Sequence, residues 1–303
     1  MLRWFGYILL TLLVLGAGAY YWLIVDGSGP SGGYTIDMAE VRSLANSIQN
    51  DKPTEIRIER IAAFKMPLTA MIAGESWTEV DVPVYSFQVA FPGTATIIID
   101  TAIDGRQAAK DNDPTFDASA FARMQEAMKT ASSIVITHEH PDHIGGLTSH
   151  PDIAAVLAHT KLTKEQVDHP EKMFGLKFPD GALTGYTPLS YDKYSVLAPG
   201  VVLIKAPGHT PGSQLVFVQL ANGKEYLFLG DVAWRFENVE RVRTRARLVS
   251  WWFLGEDRDA VMTELAELKR IHDAEPNLIM VPGHDVKHME KLTAEGAFAG
   301  TFK

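Results

Sequence analysis

The feature that most constrains this chain is the crowded segment from His138 to His143, which places three imidazoles and a metal-type carboxylate within six consecutive residues. Imidazole nitrogen and carboxylate oxygen are the ligands that suit zinc, iron and manganese. Grouping them is costly unless something binds them, because they must lose their hydration together. The apolar run at 133–136 just before the segment is typical of a buried strand. The segment is therefore predicted to lie on the loop that ends a strand, where α/β proteins place their chemistry.

Three other apolar runs end in the same kind of residue. Residues 201–206 precede His209, residues 226–229 precede Asp231, and residues 277–281 precede His284. If each run is a strand, four strands deliver metal-type ligands at their C-terminal ends, and a shared site is predicted. The predicted ligands are His138, His140, Asp142, His143, His209, Asp231 and His284. This set is too large for one tetrahedral zinc and suits two metal ions that share a bridging ligand.

These residues resemble the motifs of the metallo-β-lactamase superfamily. The H-x-H-x-D-H motif of that family matches positions 138–143, and its G-H-T-P-G-S element matches positions 208–213. Asp231 matches the bridging aspartate, and His284 matches the last histidine, which lies in a G-H element. The resemblance covers residues 55 to about 290. It implies an α/β fold, a four-layer αβ/βα sandwich with two β-sheets between outer helices and a dinuclear metal site at the strand ends.

The resemblance also implies roles for the ligands. One metal ion is expected on His138, His140 and His209, the other on Asp142, His143 and His284, with Asp231 as the bridge. The ions are expected to be zinc, with iron or manganese as alternatives, and Asp142 and Asp231 are the expected catalytic residues. Asp100 resembles the family aspartate that orients a ligand, and a plain turn aspartate is the alternative. Thr210, Trp234 and Tyr194 are further candidates for positions around the metals or the pocket.

Comparison within the superfamily favours hydrolysis of an ester or a lactone. True β-lactamases of the family generally carry cysteine or serine in place of the aspartate bridge. Hydroxyacylglutathione hydrolases add a C-terminal helical domain, for which too few residues follow His284. The quorum-quenching lactonases share the bridge but carry a tyrosine three residues later, where this chain has Trp234. The expected reaction is attack of a metal-bridging hydroxide on the electrophilic carbonyl of a small-molecule substrate.

Other functions remain open at this point. They are a thioesterase that resembles the hydroxyacylglutathione hydrolases, an iron enzyme that resembles the persulfide dioxygenases, and a metal-binding module without catalysis. A formal net charge of -9 disfavours a nucleic-acid partner, which usually binds a basic surface. The absence of cysteine excludes thiolate ligands and disulfides.

The N-terminal segment is predicted to be separate from the catalytic domain. No charged residue lies between Trp4 and Val25, and a helix over this run would reach about 33 Å, enough to cross a bilayer core. Arg3 before the run and Asp26 after it predict a single-pass anchor with the domain on the periplasmic or extracellular side. The predicted divisions are a transmembrane anchor at 1–25, a flexible linker at 26–33 and a catalytic domain at 34–303. The alternative is a signal peptide cleaved after the small residues at 17–19, which would give a secreted protein.

Two further segments could shape the pocket. Residues 165–194 form a loop-rich insertion with several aromatic residues, and residues 234–254 carry five arginines and end in Trp251-Trp252-Phe253-Leu254. Either the aromatic residues are core and the arginines a solvated face, or the segment is an apolar wall beside the metals or a face that rests on the membrane. Helices are predicted at 38–50, 116–129 and 257–272, and a hairpin is predicted around Asn222-Gly223.

Overall fold

Two β-sheets form the middle of the structure, a computed structural model that describes residues 2–110 and 115–303. In spatial order the first sheet contains β1 (Glu55–Pro67), β2 (Glu79–Ala90), β3 (Thr96–Ile99) and β4 (Ser133–Val135). The second contains β5 (Tyr194–Ala198), β6 (Val201–Lys205), β7 (Gln214–Gln219), β8 (Glu225–Gly230) and β9 (Ile279–Pro282). Neighbouring strands pair antiparallel except β3 with β4 and β8 with β9, which pair parallel.

The helices lie before, between and after these strands. In chain order they are α1 (Leu2–Tyr20), α2 (Met38–Ala45), α3 (Leu68–Met71), α4 (Gly105–Lys110), α5 (Ala118–Thr130), α6 (Pro141–Thr148), α7 (Ile153–Leu157), α8 (Lys164–Asp168), α9 (Phe236–Arg241), α10 (Arg258–Ala274) and α11 (Val286–Ala294). Short π-helical turns cover Tyr21–Val25 and Val249–Leu254, and a 3₁₀ turn covers Pro170–Met173.

The alternation of side chains along the strands separates the layers. On β7, Leu215 and Phe217 pack outward with residues of α2 and α10, whereas Val216 and Val218 fill the space between the two sheets. On the first sheet, Ile98 packs outward with residues of α5 and α6, and its neighbours Ile97 and Ile99 face the second sheet. The layers are therefore helix, sheet, sheet and helix, and the predicted four-layer sandwich is confirmed.

The predicted local elements are present, with one shorter than expected. The hairpin turn lies at Asn222-Gly223, where Gly223 has φ 87° and joins β7 to β8. The helix predicted at 257–272 is α10, whose N-terminus is capped by the Asp257 carboxylate accepting from the Ala260 N–H at 3.0 Å. The helix predicted at 38–50 ends at Ala45, because the Asn46 side-chain amide donates to the Arg42 carbonyl at 2.6 Å and closes the last turn.

The N-terminal segment is a helix that projects from the domain. Among the described residues, Arg3–Val25 is the one helix long and apolar enough to cross a membrane, with mean hydropathy 2.2 and 6% of its most apolar window buried. Length and composition fit either a membrane anchor or a signal sequence.

The structure differs from a free linker at the start of residues 26–33. The Arg247 guanidinium pairs with the Asp26 carboxylate at 2.7 Å, and Arg258 Nη1 donates to the Ser28 carbonyl at 2.7 Å. Gly27 lies against the Arg243 side chain, where an added Cβ would come within 2.5 Å of Arg243 Cγ. The composition of this segment predicts flexibility, but arginines far along the chain supply the donors that fix its first residues on the domain.

Candidate metal centre

The candidate ligands meet because five strands end at one edge of the sandwich. In the second sheet β6 runs parallel to β8, since both are antiparallel to β7, and β8 runs parallel to β9. Their C-terminal ends, which precede His209, Asp231 and His284, therefore lie together. In the first sheet the parallel strands β3 and β4 end together, before Asp100 and before the segment that starts α6.

The structure gathers the seven predicted ligands into two groups, in each of which the ligand atoms lie within 4.8 Å of one another. The first group is His138, His140, His209 and Asp231, and the second is Asp142, His143 and His284. In the first group the His140 Nδ1 lies 3.0 Å from the His209 Nε2. In the second group the Asp142 Oδ2 lies 3.5 Å from the His284 Nε2 and 3.9 Å from the His143 Nε2.

The Asp231 carboxylate lies between the two groups. Its Oδ2 is 3.3 Å from the His209 Nε2 and 3.5 Å from the His138 Nε2. Its Oδ1 is 3.2 Å from the His143 Nε2 and 3.1 Å from the His284 Nε2. One oxygen thus faces each group, which is the arrangement of a bridging ligand.

Several atoms that point into the two groups have no hydrogen-bond partner within residues 2–110 and 115–303. They include the Nε2 atoms of His138 and His143 and the Oδ1 of Asp231, in side chains that are 1%, 4% and 3% exposed. Leaving buried polar atoms unpaired is costly. Divalent cations would satisfy these atoms, and imidazole with carboxylate is a donor set that zinc, iron and manganese accept.

Burial and the neighbouring carboxylates shift the pKa values of the imidazoles in opposite directions. Burial, together with the neighbouring His143, lowers the pKa of His138 well below its usual value, so its imidazole is neutral and able to bind a metal. Burial also acts to lower the pKa of His143, but the carboxylates of Asp100, Asp231 and Asp142 outweigh it and raise that pKa well above its usual value. The same negative potential that draws a proton to His143 would attract a divalent cation.

Asp100 orients His143. The His143 Nδ1 donates to the Asp100 Oδ2 at 2.8 Å, which leaves the Nε2 facing Asp231. Asp100 is itself held by the Thr137 backbone N–H at 2.6 Å and the Thr137 hydroxyl at 2.8 Å, and it has φ 60°. The geometry supports the ligand-orienting alternative for Asp100, at a sharp turn after β3.

A buried ion pair orients His209, and the sequence did not predict it. The His209 Nδ1 donates to the Glu256 Oε2 at 2.8 Å, and Glu256 also accepts from the Arg245 Nη1 at 2.9 Å. Arg245 also donates through its Nη2 to the Asp231 backbone carbonyl, so one guanidinium contacts both the acid that orients His209 and the bridging residue. Arg245 and His209 hold the pKa of Glu256 below its usual value despite complete burial. The aromatic and arginine pattern at 234–254 was visible in the sequence, but nothing in it distinguishes Arg245 from the other arginines.

Trp234 contacts the bridge directly. Its Nε1–H donates to the Asp231 Oδ2 at 2.6 Å, and its ring meets the His284 ring edge-on at 5.8 Å between centroids. The Arg245 guanidinium covers the indole at 4.4 Å. His284 is fixed from its other side, because its Nδ1 donates to the Pro83 carbonyl at 2.7 Å. Trp234 is only 4% exposed, so it acts on Asp231 rather than forming an open wall.

Of the last two candidates, Thr210 supports a ligand-bearing loop and Tyr194 lies outside the centre. Thr210 donates its hydroxyl to the Glu139 Oε2 at 2.8 Å, and this buried carboxylate holds the loop that carries His209. The prediction that Tyr194 lies near the metals or the pocket is wrong. Tyr194 lies on β5, the edge strand of the second sheet, and its hydroxyl accepts from the Asp37 N–H at 2.8 Å. Its position in an aromatic-rich insertion suggested the pocket, but the ring instead packs on the outer side of the second sheet, towards α2 and α10.

Phe174 contacts a candidate ligand and is 49% exposed, and this exposed side of the two ligand groups is called the mouth of the centre. Its ring is 5.0 Å from the His140 ring between centroids, and it stacks on Phe253 at 5.9 Å with an angle of 15°. The two segments named from the sequence, 165–194 and 234–254, therefore meet beside the candidate ligands.

The family model described as the metallo-beta-lactamase superfamily matches residues 80–284. The chain belongs to this superfamily. The family resemblance seen in the motifs is thus confirmed over more than half of the chain.

Curated relatives and solved structures agree with this placement. An N-acyl homoserine lactonase of Bacillus thuringiensis is 27% identical over 154 residues, which are 51% of this chain and 56% of that protein. The match thus spans little more than half the length of the relative. A solved quorum-quenching N-acyl homoserine lactone lactonase has a TM-score of 0.62 at 16% identity and covers 80% of this chain and 97% of its own. The structure of AidC, a dizinc quorum-quenching lactonase, has a TM-score of 0.54 at 18% identity, over 78% of this chain and 89% of its own. At these identities the structural likeness shows the shared fold.

Replacing the acid behind His209 should weaken metal binding. Glu256→Gln keeps the shape but removes the charge that fixes the His209 tautomer, and we expect about a 10- to 100-fold loss of metal affinity in a chelator competition titration. The matched control is Glu267→Gln on α10, whose carboxylate accepts from Ile36 and pairs with Arg270. An equal loss in both variants would show that Glu256 acts through general stability.

The metal-free protein should lose stability as the pH rises above about 6.5, the usual pKa of histidine. The carboxylates raise the pKa values of His143 and His284 despite burial, so their protonation stabilises the fold fully below that pH and the gain is lost as the pH passes the raised values. The lowered pKa of His138 reduces stability only below about pH 6.5, where the imidazole is protonated in the unfolded chain but not in the fold. It therefore does not oppose the loss of stability at higher pH. Melting temperatures with and without a chelator should diverge as the pH rises above about 6.5. Parallel curves would contradict the assignment.

Proposed function

We propose that this protein is a membrane-anchored, metal-dependent hydrolase of ester or lactone bonds. The observation that carries the proposal is the position of Asp231, whose two carboxylate oxygens face two separate groups of candidate ligands at 3.1 to 3.5 Å. Family membership and the lactonase relatives support the choice of a carbonyl substrate. The proposed ions are zinc, and iron or manganese fit the same donors.

The residues of the centre have distinct proposed tasks. When bound, two divalent cations lower the pKa of a water molecule and polarise a carbonyl oxygen. Asp231 fixes the spacing between the two groups, and Trp234 and Arg245 fix Asp231. Asp142 is 21% exposed at its side chain, against 2% for Asp231, so it is the acid that reaches the mouth and can pass a proton between the substrate and solvent.

Position 234 bears on the choice between a lactone and an ester substrate, because the related lactonases carry a tyrosine hydroxyl there. The indole of Trp234 is buried and directs its N–H to Asp231, so it offers no phenol to a leaving oxygen. Other groups at the mouth must therefore assist the departing alkoxide, and Asp142 is placed to do so. This arrangement accommodates an acyclic ester as readily as a lactone ring.

The location of the enzyme is part of the proposal. The segment Arg3–Val25 is long and apolar enough to span a bilayer, and its small residues at 17–19 lie within the unbroken helix α1. The helix end is fixed to the domain, because the Gly74 N–H donates to the Ile24 carbonyl at 2.9 Å. These contacts support a retained anchor, with the domain on the periplasmic or extracellular side.

Metal content tests the two-ion centre. The purified full-length protein should carry about two divalent ions per chain, because two groups of ligands share one bridge. Asp231→Asn should lower the metal content of both groups, whereas Asp142→Asn should affect mainly the second. Elemental analysis with metal supplementation would measure this. A wild-type protein that retains at most one ion would contradict the dinuclear centre, and a single iron would favour an oxygenase.

Substrate turnover tests the reaction. The metal-loaded wild type should hydrolyse p-nitrophenyl esters and N-acyl homoserine lactones, and a chelator should abolish both activities. Asp142→Asn should lower kcat by about 10²- to 10⁴-fold, because a proton-transfer group is lost. Measured at equal metal content, this loss separates proton transfer from metal binding. Failure of the fully loaded wild type to hydrolyse either substrate class would contradict the proposed reaction.

A further inference from the structure

Large apolar side chains lie exposed on the π-helical turn Val249–Leu254 and on the residue just before it. We define the aromatic platform as Leu248, Trp251, Trp252 and Phe253, which are 41%, 49%, 86% and 62% exposed. Single exposed apolar residues are common, but a contiguous group on a tight turn marks a surface that binds something apolar. The turn is held from below by buried Ser250 and Leu254, so the exposed rings are presented by a fixed backbone.

The aromatic platform is continuous with the N-terminal helix. The Trp22 and Trp251 rings meet edge-on at 5.1 Å between centroids, and the Arg247 guanidinium lies near both rings at 5.6 and 5.8 Å. Nearby, the Trp77 Nε1–H donates to the Tyr20 hydroxyl at 3.1 Å. Aromatic residues at the end of a membrane span lie at the level of the headgroups. Trp251, in contact with Trp22, must then lie at that same depth.

The arginines around the aromatic platform are already paired within the protein. Arg241 pairs with the Glu75 carboxylate at 2.6 Å, Arg247 pairs with Asp26 at 2.7 Å, and Arg243 donates to the Val25 carbonyl. Two of these three positive charges are thus offset by carboxylates of the protein itself. What this surface mainly offers to a bilayer is the apolar area of its rings, so insertion is expected to depend only weakly on anionic lipid.

One aromatic stack connects the aromatic platform to the candidate metal centre. Phe253 stacks on Phe174, and Phe174 lies against the His140 ring. The Lys172 ammonium donates to the Gly255 carbonyl at 2.7 Å and ties the two segments together. The mouth of the centre is thus bordered by the same rings that continue into the exposed surface.

We propose that the aromatic platform is a membrane-docking surface that seats the mouth of the metal centre at the bilayer interface. The substrate is then an amphiphile whose carbonyl lies at headgroup level while its acyl chain remains in the lipid. The depth of the platform rests on the proposed membrane anchor, whereas the exposed rings support docking independently of the anchor. The substrate class also rests on the proposed hydrolase function.

Depth measurements test the docking. The chain has no cysteine, so a single introduced cysteine carries a unique nitroxide label. The variants are Trp252→Cys on the platform, Leu12→Cys within α1, and the control Ile48→Cys, which is 38% exposed. Ile48 follows Ala45, whose carbonyl accepts from the Gly200 N–H at 2.8 Å just before β6, at the end of the strands opposite the metal centre. The full-length protein is reconstituted in phosphatidylcholine vesicles, with and without phosphatidylglycerol. Collisions with oxygen and with a water-soluble nickel chelate report the depth of each label.

The label at 252 should collide more often with oxygen than with the nickel chelate in both vesicle types, as the label at 12 should. The label at 48 should collide more often with the chelate. A label at 252 that behaves like the one at 48 while the label at 12 is in lipid would overturn the docking surface and leave the anchor standing. Water exposure at both 12 and 252 would overturn both. Lipid exposure at 252 alone would support docking without an anchor.

Kinetics test the substrate class separately. Trp252→Ser should raise the ratio of KM for a long-chain ester in vesicles to KM for a short soluble ester by about tenfold, since one docking ring is lost. Ile48→Ser should leave that ratio unchanged. An unchanged ratio in Trp252→Ser would overturn delivery from the membrane. If the wild type hydrolyses neither ester, both the hydrolase function and the substrate class are contradicted. The depth measurement then still tests the docking surface by itself.

Discussion

The shared carboxylate of Asp231 is the interaction on which the rest of the centre depends. A buried anion needs partners on every side. Trp234 donates to one oxygen, Arg245 donates to the backbone carbonyl, and imidazoles of both ligand groups surround the two oxygens. Gly283 leaves room for this arrangement, because a Cβ there would come within 2.5 Å of the Asp231 Oδ1. The bridge is therefore positioned by residues of the segment that follows β8 and by the glycine that follows β9.

Three of the four imidazoles that face Asp231 donate from their outer nitrogens to fixed acceptors. Asp100, Glu256 and the Pro83 carbonyl accept from the outer nitrogens of His143, His209 and His284 respectively. Close packing of α6 supports the first of these contacts. A Cβ at Gly146 would come within 2.1 Å of the Thr101 carbonyl oxygen, so only glycine lets the helix approach the turn that holds Asp100. The ligand groups are thus preorganised by contacts that the ligands themselves do not supply.

The segment between β8 and α10 contributes both buried residues that support the metal centre and exposed residues that contact the N-terminal helix. Its Trp234, Arg245 and Glu256 form the buried support of the metal centre. Its Arg247 and Trp251 contact the N-terminal helix, and its Phe253 stacks on the residue at the mouth. One stretch of chain therefore links the candidate anchor to the candidate site. This linkage gives a physical reason why the proposed hydrolase and the proposed membrane surface belong to the same end of the fold.

The sequence by itself determined the fold family and the residues that meet at the strand ends. The family follows from the resemblance of its motifs at 138–143 and 208–213. The meeting of the ligands follows from local patterns, because apolar runs mark the strands and their C-terminal ends fall at one edge of a parallel arrangement. The outer support could not be predicted in this way. Glu256, Arg245 and Glu139 lie on loops or after a motif residue, and their roles come from contacts between segments distant in sequence. The misplaced Tyr194 and the fixed start of the 26–33 segment have the same origin, since composition reports local preference and only tertiary packing decides which partner a side chain meets.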